Sequence, residues 1–194
     1  MEKRVAAGDP TAQTHLGRSL LQVANGTTET RLEGIRLLEQ AAAHGDIELQ
    51  YELGSILLNG RHGIVVDEPR GQEWWVKPLE EHHVKTMEYV AKAHQDGRFG
   101  YPIDLLKSKA LVSKLVEAYR DGVYGVSPDP AEARRWSNEL KHLDRLINLA
   151  GGNYQAPTLL QEQAESGDPN AQFQLGRQLL VSGPATQREQ GVQW

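Results

Sequence analysis

Histidine offers the most chemistry in this sequence, because its side chain can exchange protons near neutral pH and can bind metal ions. The seven histidines are densest where Glu81, His82 and His83 precede His94. Adjacent residues of a helix point to different faces, and His83 and His94 are three helical turns, about 16 Å, apart. One metal ion cannot bind both side chains over that distance. We therefore predict no metal site and interpret these histidines as structural or solvated.

Two pairs of carboxylates, Glu80/Glu81 and Glu48/Glu52, could in principle act as acid and base. They fall on the polar faces of predicted amphipathic helices, which indicates a solvated surface. The sequence contains no G-x-S-x-G nucleophile motif, no P-loop and no dinucleotide-binding glycine motif. The absence of cysteine excludes a thiol nucleophile, a disulfide framework and an iron–sulfur cluster. We predict no catalytic residue and no cofactor, and therefore a protein that is not an enzyme.

The chain has 194 residues and a formal net charge of -5. This acidic balance, with scattered basic residues, argues against a nucleic-acid partner, because phosphate binding needs a basic face. No stretch approaches the run of about 18 apolar residues that a membrane span requires. The first residues, MEKRVAAGDP, lack the apolar segment of a signal peptide. The sequence predicts no nucleic-acid partner and no direct membrane span.

A repeated segment indicates which elements position these side chains. When Gly8–Leu21 is aligned with Gly167–Leu180, ten of the 14 residues are identical, and Gly45–Leu58 shares seven with the first segment. Gly8 and Gly45 are 37 residues apart. Repeats of roughly 20–50 residues are typical of solenoids, in which each unit buries its apolar face against the next.

Each unit is predicted to contain two helices. The first begins at an aspartate whose carboxylate can accept hydrogen bonds from free backbone N–H groups, often with a proline next. Helices are predicted to end at glycines, which adopt the left-handed conformation of a C-terminal cap without steric cost. The predicted N-caps are Asp9, Asp46, Asp129 and Asp168, and the predicted C-terminal glycines are Gly26, Gly45, Gly60, Gly97, Gly122 and Gly167.

Glycine also recurs inside the first helix, at Gly17 and Gly54, where it costs about 1 kcal/mol relative to alanine. The second helix carries Gly34 and Gly71, each 17 residues further along the chain. Small residues on both helices predict a close approach of the two backbones. A bulky residue follows three positions later, and we expect this position to be core; its occupants are Leu37, Trp74, Trp136 and Trp194.

This alternation resembles the Sel1-like repeat family, a branch of the tetratricopeptide-type helical solenoids. The resemblance rests on the pattern G-D-x-x-A-Q-x-x-L-G at Gly8–Gly17 and Gly167–Gly176. It continues in Tyr124–Trp136, which is similar to the loop and second-helix signature of the family. The resemblance implies an all-α fold, a right-handed superhelical α-solenoid of antiparallel helix pairs.

We expect one solenoid over residues 1–194, irregular in the middle, and a fragment of a longer protein, because neither end resembles a polar capping repeat. Glu81-His82-His83 replaces the usual start of a unit. Gly97 and Gly122 are only 25 residues apart, so the helix beginning at Asp104 must be the second helix of one unit and the first helix of the next. The predicted units are 9–44, 45–81, an incomplete 82–107, 108–147, an irregular connector and helix 148–166, and a truncated 167–194.

The first helices of such a solenoid line a concave groove that suits a peptide or a protein domain. A buried stripe of Ala12, Leu16 and Leu20 would place another set of side chains, with mixed charge, in that groove. The aromatic residues of the loops either close the edge of the core or bind a partner, and Trp75, next to core Trp74, could add apolar surface. The predicted partner-binding residues are Arg18, Ser55, Lys92, Glu117 and Arg177 in the groove, Tyr101 and Tyr124 in the loops, and Trp75.

The resemblance also implies candidate functions. Sel1-like proteins similar to this one are frequent in bacteria, where they neutralise antibacterial toxins as immunity proteins, assemble envelope complexes or support exopolysaccharide export. We expect a non-enzymatic scaffold that binds a cognate protein, with toxin neutralisation as its sharpest form. One alternative is an assembly scaffold of an envelope or exopolysaccharide secretion complex, associating end to end; another is a cell-wall hydrolase, for which the sequence offers no converging polar site. The compartment stays open between bacterial periplasm and cytoplasm.

Overall fold

The computed structural model describes residues 2–24, 26–149, 163–169, 171–173 and 175–176. This part of the chain consists of helices and loops without a β-strand, which confirms the predicted all-α class. Most of the predicted connector, 148–166, and all of 177–194, including Arg177 and Trp194, lie outside the described residues. The helices are α1 (Glu2–Ala6), α2 (Pro10–Gln22), α3 (Thr28–Ala42), α4 (Ile47–Asn59), α5 (Glu68–Glu80), α6 (Val84–Asp96), α7 (Leu105–Asp121) and α8 (Pro130–Leu149).

Residues 1–86 and 87–194 form two compact units. In the first unit α2 packs against α3 and α4 against α5, so that each helix pair corresponds to one sequence repeat. In the second unit α7 packs against α8, with Leu115 and Trp136 fully buried. The predicted boundary between residues 107 and 108 falls inside the first turn of α7.

The predicted N-caps are confirmed. The carboxylate of Asp9 accepts a hydrogen bond from the N–H of Ala12 at 3.0 Å, which satisfies a backbone donor that has no partner within the helix. The same bond recurs three residues on from Asp46, Asp129 and Asp168. These aspartates fix where the helices begin.

The predicted glycine caps are confirmed at every position but one. A positive φ occurs at Gly45, Gly60, Gly97, Gly122 and Gly167. The helix end predicted at Gly26 is wrong, because α2 already ends at Gln22 and Val23 follows in an extended conformation. The N–H of Gly26 instead donates to the carbonyl of Val23 at 3.0 Å, which makes Gly26 part of the turn before α3.

The close approach predicted for the glycine pairs is also confirmed. A Cβ atom on Gly17 would lie 2.9 Å from the carbonyl oxygen of Gly34, and one on Gly34 would lie 2.9 Å from that of Gly17. On Gly71 a Cβ would lie 3.2 Å from the carbonyl oxygen of Gly54. The backbones of the paired helices therefore touch at these four glycines, with no room for a side chain.

The buried stripe of α2 differs from the predicted one. The side chains of Gln13 and Leu21 are buried together with Ala12 and Gly17, whereas Leu16 and Leu20 are only half-buried. The backbone contact at Gly17 makes that residue the centre of the interface with α3. This rotates the stripe away from the predicted one, and the groove positions derived from it differ in exposure: Arg18 and Lys92 are exposed, whereas Ser55 is buried.

Three loops share one backbone conformation. Each contains a glycine, then a histidine or an aromatic residue, then a second glycine, all with positive φ within four residues. Non-glycine residues rarely adopt this conformation, so its recurrence marks the loops as equivalent. The residues are Gly60, His62 and Gly63 after α4; Gly97, Phe99 and Gly100 after α6; and Gly122, Tyr124 and Gly125 after α7.

Each of these loops closes in the same way. The N–H of the aspartate that ends the loop donates to the carbonyl ten residues earlier: Asp67 to Leu57 at 3.0 Å, Asp104 to His94 at 2.7 Å, and Asp129 to Tyr119 at 2.7 Å. This loop type connects the first helix of a repeat to the second. It occurs on both sides of α7, so α7 follows α6 as a second helix and precedes α8 as a first helix, in agreement with the short glycine spacing.

The described residues near the C-terminal end repeat the turn between α3 and α4. The side-chain amide of Gln172 donates to the carbonyl of Ala164 at 3.0 Å, as that of Gln50 does to Ala42. The small apolar cluster Ala164, Ala171 and Leu175 corresponds to Ala42, Leu49 and Leu53 in the first unit. The sequence repeat is therefore also a repeat of packing.

Candidate partner-binding surface

Polar side chains of α2, α4 and the start of α6 form one surface of the first unit. They come from the first helices of successive repeats, and ion pairs connect them from one helix to the next. We call this surface the first-helix face; it consists of Arg18, Glu48, Tyr51, Glu52, His83 and Lys85.

The first connection joins α2 to α4. The guanidinium of Arg18 donates two hydrogen bonds from Nε to the two carboxylate oxygens of Glu52, both at 3.1 Å, and a third from Nη2. These bonds raise the pKa of Arg18. Arg18 was predicted to face a partner, and it does lie at the surface, but with Glu52 already bound to it.

The second connection joins α4 to the start of α6. The ring of His83 contacts the carboxylate of Glu48 through Nε2 at 3.1 Å and the hydroxyl of Thr86 through Nδ1 at 2.8 Å. Lys85 donates to the other oxygen of Glu48 at 3.5 Å. Burial alone would raise the pKa of Glu48, but the hydrogen bond from His83 and the charges of His83 and Lys85 outweigh it and lower that pKa.

Tyr51 supplies an aromatic centre between these ion pairs. Its ring lies 5.0 Å from that of His83, and the ammonium of Lys85 lies 5.8 Å from its centroid. On the other side it stacks on Trp75 at 6.1 Å. The face thus contains a tyrosine and an arginine, two residue types that are enriched in protein recognition surfaces, among charges of both signs.

Two of the predicted partner-binding residues are wrong because their side chains are inside the protein. Trp75 is 0% exposed, and its indole N–H donates to the carbonyl of Tyr51 at 3.0 Å. The half-exposed tryptophan is Trp74, which was predicted to be core and packs against the edge of the first core cluster. Ser55 is 4% exposed, because α4 is packed between its neighbours on most of its circumference.

The remaining predictions fall in the second unit or beyond it. Lys92 is exposed, with its ammonium 5.9 Å from the ring of Trp136. Glu117 and Tyr124 come together, since the phenol of Tyr124 donates to the Glu117 carboxylate at 3.4 Å. Arg177 lies outside the described residues, so no shared surface for these positions follows.

Tyr101 is the third predicted residue of the second unit, and its loop position is largely structural. Its ring meets that of His94 edge-on, with 5.1 Å between the centroids. Burial raises the pKa of Tyr101 to about 12. This supports the interpretation that a loop aromatic closes the edge of the core.

Sequence reasoning missed most of the first-helix face. Glu48 and Glu52 were interpreted as solvated carboxylates, and His83 as a structural or solvated histidine. A signal was present, however: Glu48 and Lys85 are 37 residues apart, one repeat, and therefore occupy the same position of successive first helices. Opposite charges at that spacing predict an ion pair between neighbouring repeats.

No candidate metal centre lies in the described part of the chain. Among those residues, no group of three or more His, Asp and Glu side chains converges to hold a metal ion. Nor is any described helix long and apolar enough to span a membrane. Recognition is the chemistry that the first-helix face can perform.

Helix pairs that repeat along the chain and carry a charged first-helix face define a helical-repeat protein of the solenoid class. The Sel1 repeat family matches residues 10–46, 47–77 and 108–139, just over half of the sequence. The chain therefore belongs to the Sel1 repeat family, as its sequence motifs predicted. Proteins of this family typically mediate protein–protein interactions and are generally non-enzymatic scaffolds.

Two solved structures are similar to the whole chain. A Sel1 repeat protein from Oxalobacter formigenes is 19% identical, with a TM-score of 0.52 over 99% of this chain and 63% of that one. A protective antigen present in uropathogenic Escherichia coli strains, which displays an SLR fold, is 18% identical, with a TM-score of 0.50 over 99% and 46%. The chain thus spans less than two thirds of either protein, and the likeness shows the fold alone. Comparison with the curated proteins gives no significant match.

Proposed function

We propose that this protein is a non-enzymatic scaffold that binds a partner protein through the first-helix face. The observation that carries the proposal is the alternation of charge along that face, from Arg18 and Glu52 to Glu48 and Lys85. Exposed ion pairs contribute little to folding stability, typically about 0.2–1 kcal/mol each. Their arrangement on one surface is more useful for orienting a partner and for excluding partners with the wrong charge pattern.

The side chains on this face are also held in place before a partner arrives. Arg18 is fixed by three hydrogen bonds, and His83 by one on each ring nitrogen. A surface whose rotamers are already fixed loses less entropy on binding than a flexible one. This supports a selective interaction rather than general adhesion.

In its more specific form, the proposal is that the scaffold binds one cognate partner protein. The most specific version is that this partner is a secreted toxin, which the scaffold neutralises. The double role of α7 supports it, because the resulting helix arrangement differs from the regular pairs of the first unit. An immunity protein would cover the active-site mouth of a toxin without chemistry of its own. Assembly of an envelope or exopolysaccharide secretion complex is the alternative form.

A charge swap tests the proposal. The variant Arg18→Glu/Glu52→Arg keeps the ion pair but reverses its polarity, so the fold is retained while a charge-matched partner is repelled. Glu33→Arg/Arg36→Glu is the matched control, since it swaps an exposed pair within α3 that lies off the first-helix face. Each chain serves as bait for proteins of its native host, and the affinity of the main stoichiometric partner is then measured by calorimetry.

We expect the wild type and the control to bind that partner and the first variant to lose it. Equal affinity of all three chains would contradict the proposal. A partner that is toxic when expressed alone, and harmless when co-expressed with this chain, would support the immunity form. A partner from an envelope complex would support the alternative, and self-association alone, seen by light scattering, would refute both forms.

A further inference from the structure

A second surface of the first unit has a different composition. A cleft of about 600 Å³ lies between the first turns of α3, the loop after α4 and the start of α5. Ile35, Leu57 and Ile64 are among its lining residues, and none of its residues belongs to the first-helix face. Any ligand of this cleft would therefore be distinct from a partner on that face.

Apolar side chains at the walls of the cleft are exposed to solvent. Leu32 from α3 is 53% exposed, and Val65 and Val66 from the loop are 84% and 51% exposed. Neighbouring apolar side chains that stay in water are unfavourable for a monomer and often mark an interaction site.

Only one of the three equivalent loops carries two exposed valines. Counted back from the aspartate that ends each loop, the two valines correspond to Pro102 and Ile103 in the second loop and to Ser127 and Pro128 in the third. Ile103 is only 6% exposed, whereas Pro102, Ser127 and Pro128 are exposed but are prolines and a serine. Closing the loop does not require two exposed valines, so the repeat fold alone does not account for them.

A cation lies at the edge of the same cleft. The guanidinium of Arg31 lies against the backbone of Gly63, where a Cβ atom would come within 2.9 Å of its Nη1. Arg31 is half-buried and forms no ion pair with any described residue. A guanidinium that has given up part of its hydration gains most from a carboxylate, which it can bind with two hydrogen bonds.

Other charges around the cleft place its electropositive end at Arg31. Arg70 also lines the cleft but is ion-paired with Glu39. The carboxylate of Asp67 caps α5, and Glu68 lies in the first turn of that helix.

We propose that this cleft docks a peptide segment of a partner protein in which a bulky apolar side chain stands next to a carboxylate. The apolar side chain packs between Leu32 and Val66, and the carboxylate pairs with Arg31. Charge complementarity at Arg31 selects this occupant, because Arg31 is the cation among the described lining residues that has no ion pair, and a carboxylate next to the apolar side chain would supply one.

Selection from a displayed library of random peptides tests this proposal on the full chain. Selected peptides are measured against Val66→Glu, which puts a negative charge in the cleft, and against Arg31→Met, which keeps an unbranched apolar stem but removes the charge. Val76→Glu is the matched control, since Val76 is 53% exposed, close to the 51% of Val66, but lies on α5 and does not line the cleft. Circular dichroism establishes that each variant is folded.

We expect selected peptides to combine Asp or Glu with a large apolar residue. Their affinity should fall at least tenfold with Val66→Glu. It should fall roughly tenfold with Arg31→Met, which corresponds to the loss of one charge-assisted hydrogen bond. It should not change with Val76→Glu. Raising the salt concentration should weaken binding to the wild type but not to Arg31→Met.

Peptides without acidic residues, or peptides that bind Val66→Glu as tightly as the wild type, would overturn the proposal. So would an empty selection. Because Arg18 and Glu52 do not line the cleft, the charge swap on the first-helix face should leave these peptides bound. A failure here is therefore distinguishable from a failure of the scaffold proposal.

Discussion

The indole of Trp75 occupies the space that a side chain on Gly54 would need. A Cβ atom on Gly54 would lie 2.3 Å from Cδ1 of Trp75 and 2.6 Å from its Nε1. The indole cannot withdraw easily, because it is fully buried and its N–H is bonded to the carbonyl of Tyr51. The glycine of α4 and the tryptophan of α5 therefore form one interlocked contact.

We expect Gly54→Ala to lower the free energy of unfolding by about 1–3 kcal/mol, the usual cost of overpacking a core. Helix propensity alone predicts the opposite, a gain of about 1 kcal/mol for alanine over glycine. Urea denaturation followed by tryptophan fluorescence decides between the two effects. Ser19→Ala, at an exposed position of α2, is the control and should be neutral or slightly stabilising; a Gly54→Ala chain as stable as this control would contradict the interlock.

The conformation of His62 gives a second prediction. Its φ of 57° is unfavourable for any side chain, and the side chain itself is exposed. We expect His62→Gly to raise the free energy of unfolding by about 0.5–1 kcal/mol, since glycine adopts positive φ without steric cost.

The matched control is His15→Gly, because His15 is also exposed but lies in the middle of α2. There the same substitution should lower the stability by a few tenths of a kcal/mol, roughly the difference in helix propensity. Thermal and urea unfolding should thus give shifts of opposite sign. Shifts of the same sign would refute the conformational explanation.

His94 predicts how stability depends on pH. Burial lowers its pKa, although the hydrogen bond to the carbonyl of Pro102 and the charge of Asp104 act in the opposite direction. The unfolded chain, with a histidine pKa of about 6.5, takes up the proton first as the pH falls. The free energy of unfolding should therefore decrease as the pH drops from about 7 through 6.5 towards the lower pKa of the folded state.

His94→Leu should flatten this part of the pH profile, since leucine does not titrate and occupies the corresponding position in the first loop, Leu57. His142→Leu, at an exposed site of α8, should leave the profile unchanged. Urea midpoints at several pH values between about 5 and 7.5 measure the effect. An unchanged profile for His94→Leu would show that another group causes the acid sensitivity.

The fourth prediction concerns Asp104, the residue that ends the loop between α6 and α7 and caps α7. Its carboxylate, which is fully buried, accepts a hydrogen bond from the N–H of Lys107 at 3.0 Å. We expect Asp104→Ala to cost about 1–2 kcal/mol of unfolding free energy, as for other N-caps. Asp96→Ala, at an exposed site in the last turn of α6, should change it by less than about 0.5 kcal/mol. Equal losses would mean that the cap does not hold the loop.

Much of the fold could be predicted because its signals are local or periodic. The aspartates that begin the helices and the glycines with positive φ act within a few residues of themselves, so their types reveal their roles. The pairs Gly17/Gly34 and Gly54/Gly71 recur at one spacing, which indicates contact between two helices. Gly26 failed because the turn before α3 is closed by Val23, which carries no such signal.

The candidate site was harder to predict, because exposure depends on how helices are rotated against each other. Trp74 and Trp75 are neighbours of the same type, and a helix turns by about 100° per residue, so only one can point into the core. The side facing α4 is set by the backbone contact at Gly54 and Gly71. That contact buries Trp75 and leaves Trp74 at the edge.

The sequence by itself determined the family, the repeat period and most of the predicted helix boundaries, because caps, glycines and the 37-residue spacing act through local geometry and repetition. Only the tertiary structure decided that Arg18 meets Glu52 and His83 meets Glu48, and which apolar groups stay exposed. Among these apolar groups, Val65 and Val66 are exposed to solvent. These outcomes depend on how packed helices are rotated and separated, and no single residue encodes that geometry.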